Sequence, residues 1–245
     1  MTQSRIEACY FEAGQGPWSR LARVLDYSAR RSCPEWDVRV ERIQPKMIHA
    51  NARSSFKQNT QKLDHWAQLV EMAPEGDRIV LMDADTMVLR SLDDVWDKNF
   101  DFAYTTKSAR FPFNAGVIFL RVSDPVRVFV REWSFENRRL LLQDPHKGSS
   151  QGWRQKYAGI NQGALANMLA VLGSTIRIET LPCAEWNCED SAWATFNPAV
   201  TRVVHVKSAL RVACLGREQP NGPLAPLVTI WRELDHEAAR EVRVA

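Results

Sequence analysis

The chain has 245 residues, 45% hydrophobic and 25% charged, with a formal net charge of +3. That length and composition suit one large α/β domain or two small ones and argue against a disordered chain. The charge is too small to require a nucleic acid or a membrane as partner, but it permits an anionic ligand.

In chain order, a strand is predicted over Ile6 to Phe11, a Gly/Pro turn over Gly14 to Pro17, a helix over Trp18 to Arg31 and a strand over Val38 to Ile43. This is a βαβ start, as in a parallel sheet covered by helices. Residues 44 to 61 are polar and read as irregular. A helix follows, with Leu63, Trp66, Leu69 and Val70 on one face. Arg78 to Met82 is a short unbroken apolar run, the signature of a central strand buried on both faces. It stops at Asp83-Ala84-Asp85, and Ser91 to Asp94 then resembles a capped helix start. Strands are predicted over Phe102 to Thr105 and Val117 to Arg121, and a long helix over Pro125 to Leu142. Residues 143 to 159 read as a long loop, of the kind that forms lids, binding loops or disordered segments. A helix from Asn161 to near Gly173, strands at Ile176 to Leu181 and Arg202 to Val206, and an outer helix from Leu224 complete the chain.

Five cysteines without CxxC spacing argue against a disulfide framework or a zinc site, and the start has no long apolar run. A soluble, cytoplasmic protein without membrane insertion is expected, and a homodimer is left open. Nine tryptophans are many for this length, and several are expected to stack on sugars or bases.

The strongest local signal is Asp83-Ala84-Asp85 at the end of a hydrophobic strand, where ligands gather in open α/β sheets. Paired carboxylates repel unless a cation neutralises them, and oxygen ligands suit Mg²⁺ or Mn²⁺. Solvated loop acids are the plain alternative.

The run Ile79 to Trp96 around this pair resembles the metal-binding block of retaining glycosyltransferases of family 8, glycogenin among them. Three further blocks recur in the family's order. Thr60 to Trp66 resembles the helix whose lysine, here Lys62, contacts the donor. Phe113-Asn114-Ala115-Gly116-Val117 resembles the strand that places an asparagine near the sugar, and Asn161-Gln162-Gly163 resembles a helix start that reads sugar hydroxyls. Val203 to Arg211 resembles the late strand that supplies a histidine.

The resemblance implies a GT-A fold with a Rossmann-like mixed sheet, arranged as a nucleotide-binding half over 1–105, a sugar and acceptor half over 106–223 and a C-terminal helix over 224–245. It implies Asp83, Asp85 and His205 as ligands of Mn²⁺ or Mg²⁺, and Asp83, Asp85, Asn114 and Gln162 as the catalytic set. Donor contacts would come from Lys62, Asp83, Ala84, Asn114, Ala115, Gly116, Asn161 and Gln162, with Lys207 and Arg211 on the diphosphate. Tyr10 either stacks on the base or fills the core.

The chain departs from the family pattern at four places. Asn161 stands where the family has an acid, Ser208 where it has glycine and Arg211 where it has lysine. The segment Ala8 to Glu12 lacks the threonine-rich strand end that holds the base.

The expected function is transfer of a hexose from a UDP-sugar to a glycan or lipid-linked glycan. His146, Lys147, Trp153, Arg154, Lys156 and Tyr157, beside Arg138 and Arg139, would suit an oligosaccharide acceptor and also a nucleic acid. A transferase acting on a modified DNA base is therefore the second expectation. A non-catalytic nucleotide-sugar-binding module and a nucleotidyltransferase are further alternatives.

Overall fold

The computed structural model describes residues 2–12, 16–46, 54–106, 112–143, 157, 159–217 and 220–241. Its strands are β1 (Ser4–Tyr10), β2 (Asp37–Arg42), β3 (Arg78–Asp83), β4 (Thr86–Val88), β5 (Phe102–Thr106), β6 (Phe113–Arg121), β7 (Ile178–Leu181) and β8 (Val203–His205). The α-helices are α1 (Pro17–Ser32), α2 (Ser54–Met72), α3 (Asp124–Gln143), α4 (Ile160–Leu172), the single turn α5 (Cys183–Trp186), α6 (Ser208–Leu215) and α7 (Leu224–Glu241). Six strands form one sheet in the order β2-β1-β3-β6-β5-β7, and β4 pairs with β8 in a two-stranded sheet. The large sheet is mixed: β1 and β2 run parallel, as do β5 and β7, while β5 and β6 are antiparallel.

The chain divides into two compact units, each built from three segments. One comprises Met1–Ser4, Ile43–Leu81 and Asn99–Leu181. Its core joins Leu63, Trp66 and Val70 of α2 to Phe102, Ile118 and Leu120 of the strands and to Phe129 and Trp133 of α3. Helices α2 and α3 are also tied by polar contacts, since the Asn137 amide donates to Thr60 Oγ1 at 2.7 Å and Ser134 Oγ to Asp64 at 2.6 Å.

Helix α2 begins at Ser54, so the stretch read as irregular up to residue 61 is helical from Ser54 onward. The polar run misled because its few anchors, Phe56 and Thr60, are buried by tertiary contacts that local sequence does not announce.

The other unit comprises Arg5–Arg42, Met82–Lys98 and Pro182–Ala245. Pro17 at the first turn of α1 has a preset φ, and Leu21, Ala22, Val24, Leu25 and Ala29 form the helix's buried stripe. Its core adds Met87, Val204, Val206, Leu210, Cys214 and Trp231. Arg20 lies over the Trp231 ring at 4.8 Å and, with Arg23, pairs with Asp235, which ties α1 to α7.

The tryptophans correct an expectation. Trp36, Trp66, Trp96, Trp133, Trp186, Trp193 and Trp231 are buried, and Trp18 alone of those described is exposed. The five cysteines form no disulfide among the described residues. Among the described residues no helix is long and apolar enough to cross a membrane.

Candidate metal and donor site

Strand β3 is apolar on both faces, with Ile79, Val80, Leu81 and Met82 all fully buried. It ends at Asp83, where Thr86 Oγ1 donates to the Asp83 carbonyl at 2.9 Å and closes a turn around Ala84. The chain then re-enters as β4, whose antiparallel register sets Thr86 opposite His205. The Val206 amide donates to the Asp85 carbonyl at 2.7 Å, and the His205 amide to the Cys188 carbonyl at 2.8 Å. Backbone pairing thus fixes the carboxylates and the imidazole to each other.

His205 Nε2 lies 3.2 Å from Asp85 Oδ1 and 3.7 Å from Asp83 Oδ2. One ligand atom from each of Asp83, Asp85 and His205 falls within 4.8 Å of the others. Asp85 and His205 are buried and Asp83 is half-buried. Two carboxylates and an imidazole nitrogen facing one another need a positive centre, either a proton on Nε2 or a cation among them. His205 Nδ1 is buried with no hydrogen-bond partner among the described residues, so no second carboxylate orients the ring. Oxygen and imidazole donors at this spacing fit a hard or borderline divalent ion such as Mn²⁺.

Two cations flank the triad. Lys207 Nζ contacts Glu189 at 2.5 Å and Asp190 at 3.4 Å, and Glu189 is fully buried. Arg211 Nη1 lies 3.4 Å from Asp85 Oδ2, and its guanidinium sits over the Trp18 ring at 4.8 Å. Neither Glu189 nor Trp18 was legible as a neighbour of the site, because both arrive through long-range pairing. Tyr10, the last residue of β1, is half-buried. Glu12 turns its carboxylate onto the start of α1, accepting the amides of Trp18 at 2.7 Å and Ser19 at 3.0 Å.

The other predicted residues lie in the first unit. Lys62 is buried with its ammonium 4.5 Å from the Trp66 ring centre. Asn114, Ala115 and Gly116 lie where the β5–β6 register jumps, from Tyr104 opposite Ile118 to Thr105 opposite Asn114. Asn114 Oδ1 accepts the Gly116 amide at 2.9 Å and so closes this bulge, a device common beside functional sites. Asn161 and Gln162 open α4. Gln162 Nε2 donates to the Tyr157 carbonyl at 2.6 Å, while its Oε1 is buried without a partner among the described residues. Tyr157 in turn stacks on Phe113 at 5.7 Å.

Of the acceptor-loop residues, His146, Lys147, Trp153, Arg154 and Lys156 lie outside the described residues. Arg138 is tied to Asp64 and Arg139 to Glu136, each at 2.6 Å.

No protein-family model and no curated protein matches the chain in sequence. Solved structures do match it in fold. One is a glycosyltransferase involved in the glycosylation of the major capsid of PBCV-1, 12% identical over 97% of this chain and 99% of that one, with a TM-score of 0.53. Another is the galactosyltransferase LgtC in complex with donor and acceptor sugar analogs, 12% identical over 96% of each chain, with a TM-score of 0.56. A third is the apo form of the glycosyltransferase GlyE of Streptococcus pneumoniae TIGR4, 14% identical over 96% of this chain and 60% of that one, with a TM-score of 0.56. At these identities the likeness is one of fold, and the chain has the mixed α/β GT-A fold of its glycosyltransferase neighbours.

Proposed function

We propose that the chain is a metal-dependent, retaining glycosyltransferase that moves a hexose from a UDP-sugar to a hydroxyl of a glycan or lipid-linked glycan. The observation that carries this reading is the convergence of Asp83, Asp85 and His205 at the end of β3 in a chain with a glycosyltransferase fold. Asp83, Asp85 and His205 would hold Mn²⁺ or Mg²⁺. Such an ion, when bound, acts as a Lewis acid toward a departing diphosphate.

The chain's own groups supply the rest. Arg211 offers a planar fork that matches phosphate oxygens, and its side chain is one-third exposed. Lys207 is committed to Glu189 and Asp190 and serves to hold the turn after β8. Gln162 has a buried acceptor oxygen without a partner, which suits a sugar hydroxyl donor. Asn114 shapes the β6 bulge and leaves its amide nitrogen to orient the sugar, with Lys62 and Asn161 as further donor contacts. Positioning of this kind supplies several kcal/mol of a transfer barrier, on the order of 7–11 at its best.

No residue of the site is required as a covalent nucleophile. The acceptor hydroxyl is therefore taken to attack from the face the diphosphate leaves, and the departing oxygen receives the proton. Proton NMR of the transfer product tests this directly. Retention of the donor's anomeric configuration is expected, and inversion would remove the retaining mechanism while leaving the transferase reading in place.

A further inference from the structure

Arg211 contacts Asp85 of the carboxylate pair, and its setting shows more than a generic anion contact. Asp85 meets His205 through Oδ1 at 3.2 Å and Arg211 through Oδ2 at 3.4 Å. The two oxygens of one buried carboxylate are thus shared between a metal-type ligand and a guanidinium. Arg211 lies in the first turn of α6, with its amide bonded to the Lys207 carbonyl at 3.2 Å. Its guanidinium rests on Trp18, which is 39% exposed at the start of α1 and is anchored there through Glu12. Among the described residues the arginine is therefore held by one electrostatic contact and one stacking contact, and these respond differently to an incoming charge.

We propose that Arg211 and the divalent ion compete for Asp85, so that Arg211 is a positioning residue coupling ion loading to capture of the diphosphate. The proposal rests on the reading of Asp83, Asp85 and His205 as a metal site. A doubly charged ion on Asp85 repels a guanidinium a few ångströms away, and in a partly buried site that repulsion is weakly screened. The stacking contact with Trp18 carries no such penalty, and a cation can slide across an aromatic face while staying bound to it. Ion loading then turns Arg211 off Asp85 and presents its fork to the anion. Before loading, the same residue offsets the charge of the buried carboxylate.

The test is a Mn²⁺ titration of metal-free, donor-free protein, with free Mn²⁺ read by electron paramagnetic resonance. Arg211→Gln should bind Mn²⁺ about tenfold more tightly than wild type, because the competing charge is gone. Arg211→Lys, which keeps the charge, should stay near wild type. A second arm measures UDP affinity by calorimetry with and without Mn²⁺. The enhancement of UDP binding by Mn²⁺ should be larger in wild type than in Arg211→Gln. Equal or weaker Mn²⁺ binding by Arg211→Gln, with binding still abolished by Asp85→Asn, overturns the competition and leaves the metal site standing. Absence of Mn²⁺ binding to every protein overturns the metal-site reading together with the competition.

Discussion

Ser208 has φ of +48°, and among the described residues it is the one non-glycine in the left-handed region. It stands just after Lys207, where the chain turns from β8 into α6. A side chain there costs roughly 1–2 kcal/mol, whereas glycine adopts the conformation freely at some entropic cost in the unfolded chain. Ser208→Gly should therefore raise stability by about 0.5–1 kcal/mol, read as a melting temperature about 2 °C higher. The neighbouring pair of Lys207 with fully buried Glu189 makes the opposite prediction. Lys207→Met takes the ammonium away from a buried carboxylate and should cost about 3 kcal/mol in urea unfolding, and adding Glu189→Gln should recover most of the loss. Glu7, buried in β1, has its carboxyl pushed up by burial to about 7 from 4.5, against the pull of Arg39 and Arg5. The folded state thus holds its proton more tightly than the unfolded chain. Its contribution is full below the ordinary carboxyl range and is lost as pH rises from about 4.5 through 7. Glu7→Gln should flatten that decline, gaining about 2 kcal/mol over wild type at pH 8 but little at pH 4.

At the scale of elements, α1 shows how a helix start is committed. The amides at its start donate to the Glu12 carboxylate, and a Cβ built on Gly16 would collide with Glu12 Oε1. Gly16→Ala should therefore push the carboxylate off and cost about 1 kcal/mol in thermal unfolding. Glu12→Ala should cost the same, and the double variant no more than either alone. The apolar stripe of α1 and the two-sided burial of β3 were legible in the sequence because each is a local pattern with a fixed period. The α2 start, the short β4 strand and α6 were not legible. β4 is three residues long and exists because β8 pairs with it, a contact more than a hundred residues away in sequence. The β6 bulge is similar: Asn114-Ala115-Gly116 was readable as a motif, but the register jump that it closes belongs to the pair of strands.

For the whole molecule, each of the two units draws on segments that are far apart in the chain. Asp83, Asp85 and His205 lie within one unit, whose segments run Arg5–Arg42, Met82–Lys98 and Pro182–Ala245. Asp83 and Asp85 could be read from their place at a strand end, and His205 from its register with other blocks. Arg211 could be read from the same late block as His205, whereas the placing of Glu189 and Trp18 around them depends on how β8 and α1 are packed, which no spacing encodes. The most direct measurement of the central claim is release of UDP from a panel of UDP-hexoses, with and without Mn²⁺, by wild type and by Asp85→Asn. The account predicts Mn²⁺-dependent release from one or a few donors, reduced at least about hundredfold in the variant. Release that is indifferent to Mn²⁺ and to Asp85, or no release and no UDP binding under any condition, would contradict it.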